Sequence, residues 1–302
     1  MNKNSIIGFV LIGVIMFGFT WYQSKQYSKQ MEYQAQLDSI ARVEQMAAMA
    51  MDSINRAQGV AADGTTAVSV QTMPAYKDSL LTEARLAVES FHKLANDKVE
   101  IEFTTRGAQP YSVKVNDYMS YDSTALELVK PGMSQYGINL YAGEYINTKD
   151  FVFDVVEHND STLVMRMPFS NGGYLQQKYT LAAGAYNVKN ELSISGNVVP
   201  RNVSSLDIDW TLTVPRLEKG YKNEKQYSKL DYYFDGDKKP EQIGRGRDAS
   251  ERVNARFKWF AFQQQFFSAI MTAPQEFASS DDLSVKFFSE EEYKDQGKLM
   301  TC

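Results

Sequence analysis

Cysteine occurs once, at Cys302, and histidine twice, at His92 and His158, in a chain of 302 residues. One cysteine excludes a disulfide framework, a CxxC redox pair and a cysteine-built metal site within the chain. Two isolated histidines supply neither an HExxH helix nor a His-rich metal centre, and are read as structural or solvated. No GxSxG elbow, Walker A loop, GxGxxG turn, EF-hand loop or zinc-deaminase signature is present. Positive charge is not in excess either: a formal net charge of −5 leaves no electrostatic footprint for nucleic acid, which is not expected as a partner. Acid pairs do occur, at Asp207 with Asp209, at Asp281 with Asp282 and over Glu290 to Glu292. A glycosidase needs only two carboxylates, but Asp207 and Asp209 lie two apart on the polar face of a strand, which outward solvation explains. The expectation is a protein that is no enzyme, with no catalytic residue, cofactor or metal.

Charge is also missing from Asn4 to Ser24, where Ile6 to Tyr22 reads IIGFVLIGVIMFGFTWY. At about 1.5 Å per helical residue this run spans about 30 Å, one hydrocarbon core, and Trp21 and Tyr22 sit where amphipathic rings prefer the headgroup layer. A cleavable secretory signal is the competing reading, but no small-x-small site follows the apolar run. Residues 1–25 are therefore read as an uncleaved transmembrane anchor. Lys3 on one side and Lys25 and Lys29 on the other leave its orientation open. From Gln26 to Gln58 there is neither proline nor glycine, and Tyr27, Met31, Leu37, Ile40, Val43, Met46 and Ile54 recur mostly at three- and four-residue steps. Residues 26–58 are expected to form a helical stalk, and the small, nearly uncharged residues 59–72 a flexible linker.

From residue 73 onward the pattern is mainly β. Leu80 to Leu94 is expected to open the domain as a short helix. Val99, Ile101 and Phe103 then alternate with polar neighbours and turn through Arg106-Gly107 into Tyr111, Val113 and Val115, the mark of a hairpin. Further strands are predicted over Phe151 to Val156, Thr162 to Met167, Tyr174 to Leu181, Tyr186 to Ser195 and Leu206 to Val214, separated by Asn-, Asp- and Gly-rich turns. The clean alternation of the last two predicts one face buried on a partner sheet, hence a sandwich. The charged stretch Glu218 to Asp248 reads as an exposed excursion. Arg256 to Pro274, RFKWFAFQQQFFSAIMTAP, is the most aromatic part of the domain, and its periodicity fits either a helix or two adjacent buried strands. Trp259, Phe260, Phe262, Phe266 and Phe267 are the candidate core or partner-docking aromatics.

Three stretches together carry a family resemblance. MNKNSIIGFVLIG at the start, IEFTTRGAQPYSVKVNDY from Ile101 to Tyr118 and KWFAFQQQFFSAI from Lys258 to Ile270 resemble, in order and spacing, the YidC membrane protein insertases of Bacteroidetes. The departures are Gly107-Ala108 in place of a glycine pair and Phe266-Phe267 in place of Tyr-Phe. The resemblance implies a periplasmic β-supersandwich behind a first transmembrane helix with its N terminus in the cytoplasm, all at the cell inner membrane. It implies assistance to the insertion and folding of inner-membrane proteins, alone or with the Sec translocon. The partners it implies are the lipid bilayer, nascent inner-membrane proteins and Sec translocon components. The family continues into five further transmembrane helices forming a hydrophilic groove with a functional arginine, whereas the sequence stops at Cys302. The chain is accordingly expected to carry the N-terminal portion, with a β domain truncated at its C-terminal end. A membrane-anchored periplasmic carbohydrate-binding protein or an envelope scaffold is the alternative.

Overall fold

The structure, a computed structural model, describes residues 76–200, 203 and 205–302. The expected anchor, stalk and linker lie outside these residues, and among the described residues no helix is long and apolar enough to cross a membrane. The first element is helix α1 (Ser79–Leu86), opened by Asp78, whose carboxylate accepts from the Leu80 amide at 3.0 Å. The same carboxylate accepts from the amide and hydroxyl of Ser170, at 2.9 and 2.6 Å. Burial opposes ionisation of Asp78, yet these donors outweigh it and hold its pKa below the ordinary carboxylate value.

Helix α1 ends eight residues short of the predicted boundary. Ala87 is extended, Val88 is solvent-exposed, and Phe91–Ala95 forms strand β1 instead, with Leu94 fully buried. Pairing with β2 (Val99–Thr104) satisfies the β1 backbone and overrides local helix propensity. Strands β3 (Gln109–Met119) and β4 (Ala125–Val129) complete a four-stranded antiparallel sheet in the order β1-β2-β3-β4. After β5 (Ser134–Tyr141), β6 (Tyr145–Asn147) and a 3-10 turn (Thr148–Asp150) comes a second sheet of β7 (Asp154–His158), β8 (Thr162–Pro168), β9 (Tyr174–Leu181) and β10 (Val188–Ser195), ordered β10-β9-β8-β7. The predicted inward face of Tyr186 to Ser195 is covered only in part: Val188 and Ile194 pack against the core, whereas Tyr186 and Leu192 are exposed. Strand β10 is an edge strand.

The chain continues through β11 (Asp207–Pro215), α2 (Tyr221–Tyr227), β12 (Lys229–Tyr233), β13 (Glu241–Ile243) and β14 (Ala249–Val253). It ends with β15 (Phe257–Gln263), β16 (Ser268–Phe277), β17 (Ser280–Phe287), α3 (Glu290–Asp295) and β18 (Lys298–Thr301). The stretch expected to be an exposed excursion thus contains a core strand: Leu230 and Tyr232 of β12 are buried. Sequence charge hid this, because one of the strand's charged residues, Asp231, is itself buried between them and paired with Lys229 at 3.1 Å. Arg256 to Pro274 resolves as the β15–β16 hairpin, the strand alternative of its two periodicities.

A six-stranded sheet, β14-β17-β18-β11-β5-β6, draws strands from both halves of the domain, and a fourth sheet is ordered β13-β12-β15-β16. One core gathers Leu81, Phe103, Phe151, Phe153, Leu163 and Met165; another gathers Leu230, Tyr232, Phe257, Phe260, Tyr293 and Met300. Trp210 of β11 packs against both, with its ring 4.8 Å from that of Phe262 and its Nε1 donating to the Ser134 hydroxyl at 3.1 Å.

Next to β18, the Cys302 backbone bonds Leu212 in both directions, at 2.9 and 3.0 Å. Burial pushes its thiol pKa up to about 12. The thiolate is the reactive form, so Cys302 is expected to resist a disulfide reagent such as DTNB in the native protein and to react once urea unfolds it. Rapid labelling of the native state would contradict this placement.

Candidate partner-docking surface

The five aromatic candidates divide along the β15–β16 hairpin. Phe260 and Phe262 point inward, 8% and 3% exposed, and serve the core beneath Trp210. Trp259 is half-buried on the opposite sheet face and stacks on Tyr233 of the neighbouring strand, 5.6 Å between centroids and 14° between planes. The pairing of β15 with β16 shifts register between Phe257 and Trp259, with the extra residues on β16 between Thr272 and Phe277.

The turn at residues 264–267 closes with the Gln264 amide donating to the Phe267 carbonyl at 2.8 Å. The Gln264 side chain is buried, and its Nε2 donates to the Pro215 carbonyl at 2.7 Å and to Glu224 Oε1 at 3.1 Å. With Gln264 fixed inward, Phe266 stands out at 68% exposed, and Phe267 lies edge-on to Tyr118 at 5.4 Å, packed near Leu217. Tyr118 and Met119 end β3 and are themselves exposed, 47% and 73%. Two tips remote in sequence therefore form one apolar surface of Tyr118, Met119, Phe266 and Phe267. Exposed aromatic and Met side chains gathered this way are the composition of interface cores.

Beside them runs a cleft of about 450 Å³ lined by Lys114, Tyr121, Glu127, Lys130, Arg216 and Leu217 among others. The Arg216 guanidinium lies over the rings of Tyr121 at 3.8 Å and Tyr293 at 4.7 Å, while donating to the carbonyls of Glu218 and Lys219. Underneath is a buried carboxylate. Glu224 of α2 is 0% exposed and accepts from the amides of Leu217 at 3.0 Å and Glu218 at 3.2 Å, from Gln264 Nε2, and from the Tyr293 hydroxyl at 2.5 Å. Burial raises the Glu224 pKa, with the Tyr293 and backbone hydrogen bonds opposing it. Burial, and then the Glu224 carboxylate, push the Tyr293 phenol far above its ordinary value. This network sets the position of the β15–β16 turn. Nothing in the local sequence marked Glu224, Tyr293 or Arg216, whose partners are distant in the chain.

The cluster TTRGAQ, part of the resemblance, is a structural knot. Gly107 donates to the Phe151 carbonyl at 2.8 Å, and its own carbonyl accepts from buried Gln177 at 3.1 Å. The Tyr179 hydroxyl donates to the Ala108 carbonyl at 2.7 Å, and Gln109 Oε1 accepts from the Tyr136 amide. The Arg106 guanidinium donates to the carbonyls of Ala87 and Asp150. The first, second and six-stranded sheets meet here.

These features define a mainly β domain of antiparallel sheets that presents an aromatic tip and, among its described residues, no cluster of three or more metal-ligating side chains. The family model described as the YidC periplasmic domain matches residues 92–296, and the chain belongs to that family. Similar relatives described as membrane protein insertase YidC include those of Phocaeicola vulgatus, 30% identical over 92% of this chain and 44% of the relative, and Bacteroides fragilis, with the same figures. The Porphyromonas gingivalis W83 relative is 27% identical over 93% of this chain and 45% of its own length. The chain thus spans less than half the length of the curated relatives it matches. Among solved structures, a galactose mutarotase-like protein from Lactobacillus casei is similar with a TM-score of 0.43 and 12% identity, covering 70% of this chain and 86% of that one.

Proposed function

We propose that this chain serves membrane protein insertion as the anchored, periplasmic part of a YidC-type insertase, with its N terminus in the cytoplasm and residues 73–302 in the periplasm. Membership of the YidC periplasmic domain family carries this reading. The insertion step itself needs no covalent chemistry. It lowers the cost of placing polar groups in hydrocarbon by sheltering them while an apolar segment moves into lipid. In this reading the exposed tip of Tyr118, Met119, Phe266 and Phe267 meets the apolar segments of client membrane proteins on the periplasmic side, and Sec translocon components are the second class of partner.

Two experiments test it. A photo-crosslinking amino acid at Phe266 or Met119 is expected to capture nascent inner-membrane proteins during insertion, well above the level at the exposed control position Val88. Equal capture at all three positions would remove the tip from the account. Residues 1–302 alone are expected not to restore growth in cells depleted of their insertase, since the family's groove-forming helices are not in this sequence. Growth restored by these residues would overturn that assignment of roles.

A further inference from the structure

The two histidines of the sequence, distant in the chain, meet in the fold. His92 lies on β1 and His158 on β7, with ring centroids 5.2 Å apart and planes at 88°. Strands β1 and β7 are outermost in two different sheets, so the pair sits where two sheet edges come together. Both side chains reach solvent. His158 Nε2 lies 2.9 Å from the Lys93 carbonyl oxygen. A carbonyl can only accept, so this nitrogen carries the proton and the neutral ring keeps its lone pair on Nδ1. His92 Nε2 lies 3.0 Å from the Ser90 hydroxyl, an oxygen able to accept from the ring in the same tautomer. Imidazoles that bind metals are held in this way, one nitrogen donating to a carbonyl or hydroxyl and the other facing the ion.

The spacing agrees. With Zn–N bonds of about 2.0–2.1 Å and a tetrahedral angle, two imidazoles sharing one ion place their centroids about 5 Å apart. The nearest lysine, Lys93, has its charge engaged by Glu100 at 2.8 Å. No group of three or more candidate ligands exists among the described residues, which leaves water to complete the coordination.

We propose that His92 and His158 form a two-imidazole site for a divalent transition-metal ion of the Zn²⁺ type, which ties the edge of the first sheet to the edge of the second. Titration of the full chain, purified in detergent, with Zn²⁺ alone is expected to show one site of micromolar affinity and a rise in the melting midpoint. His92→Ala and His158→Ala are each expected to weaken binding about tenfold or more and to abolish the rise. Cu²⁺ in the same site is expected to show two nitrogen donors by electron paramagnetic resonance, falling to one in either variant. His92→Gln, which keeps a polar group near Ser90, guards against loss of binding through misfolding: with a native near-UV spectrum it should still bind weakly. Unchanged Zn²⁺ affinity in either folded variant, or a Cu²⁺ signal with fewer than two nitrogen donors in the parent chain, would overturn the site and assign binding elsewhere, Cys302 included.

Discussion

Glu224→Ala is expected to destabilise the β domain by about 3–5 kcal/mol, among the largest effects of any single polar substitution in it. Removal of the carboxylate strands the amides of Leu217 and Glu218, and takes one of two acceptors from the Gln264 side-chain amide, which keeps the Pro215 carbonyl, and from the Tyr293 hydroxyl, which keeps the Glu218 carbonyl. Each buried donor left unpaired costs about 1–3 kcal/mol, and those that recover water lower the sum. Urea unfolding followed by tryptophan fluorescence measures it, and a loss below about 1 kcal/mol would show that water replaces the carboxylate. The pH dependence has a definite sign. Burial raises the folded-state pKa of Glu224 above its ordinary 4.5. Its contribution is therefore fully present below that ordinary value and is lost as pH rises through the folded pKa. Glu224→Gln, which cannot ionise, should lose less stability than the parent chain over that interval, so the gap between the two narrows as pH rises. A gap that widens with pH would show that the hydrogen bonds to the carboxylate outweigh its burial.

Gly107→Val is expected to cost about 2–5 kcal/mol. Gly107 has a φ of +75°, and a β-carbon there would lie 2.9 Å from Gln109 Nε2 and 3.0 Å from the Lys149 backbone. The left-handed backbone accounts for about 1–2 kcal/mol and the contacts for the remainder, more so for a β-branched side chain. Because this turn joins three sheets, the loss should appear as one cooperative transition at lower urea, not as local fraying. A separate early transition limited to part of the domain would show that the turn is not a shared joint. The adjacent Ala108 also has a positive φ of 48° and is fully buried. Ala108→Gly, which restores the glycine pair of the family pattern, trades relief of strain against chain entropy, for a net gain below about 1 kcal/mol.

The candidate surface was half legible in the sequence. The KWFAFQQQFF stretch announced itself by composition, yet only Phe266 and Phe267 reach the tip, while Phe260 and Phe262 fill the core. What separates them is the inward anchoring of Gln264 by Glu224 and the Pro215 carbonyl, a matter of residues some forty to fifty positions away. The other half of the surface, Tyr118 and Met119, carried no signal because exposed apolar residues are individually ordinary. Only their meeting with Phe267 makes a patch.

Strand alternation at Val99, Ile101 and Phe103 and over Tyr174 to Leu181, the turn residues between strands, the missing catalytic motifs and the family itself are determined by the sequence, because each depends on neighbours a few positions apart or on matching motifs. The end of α1 at Leu86, the burial of β12 inside a charged stretch, the carboxylate network under the tip and the meeting of His92 with His158 were decided by tertiary structure alone. Each depends on which strand edges pair and which side chains share a dry space, and those free energies belong to contacts between residues far apart in the chain.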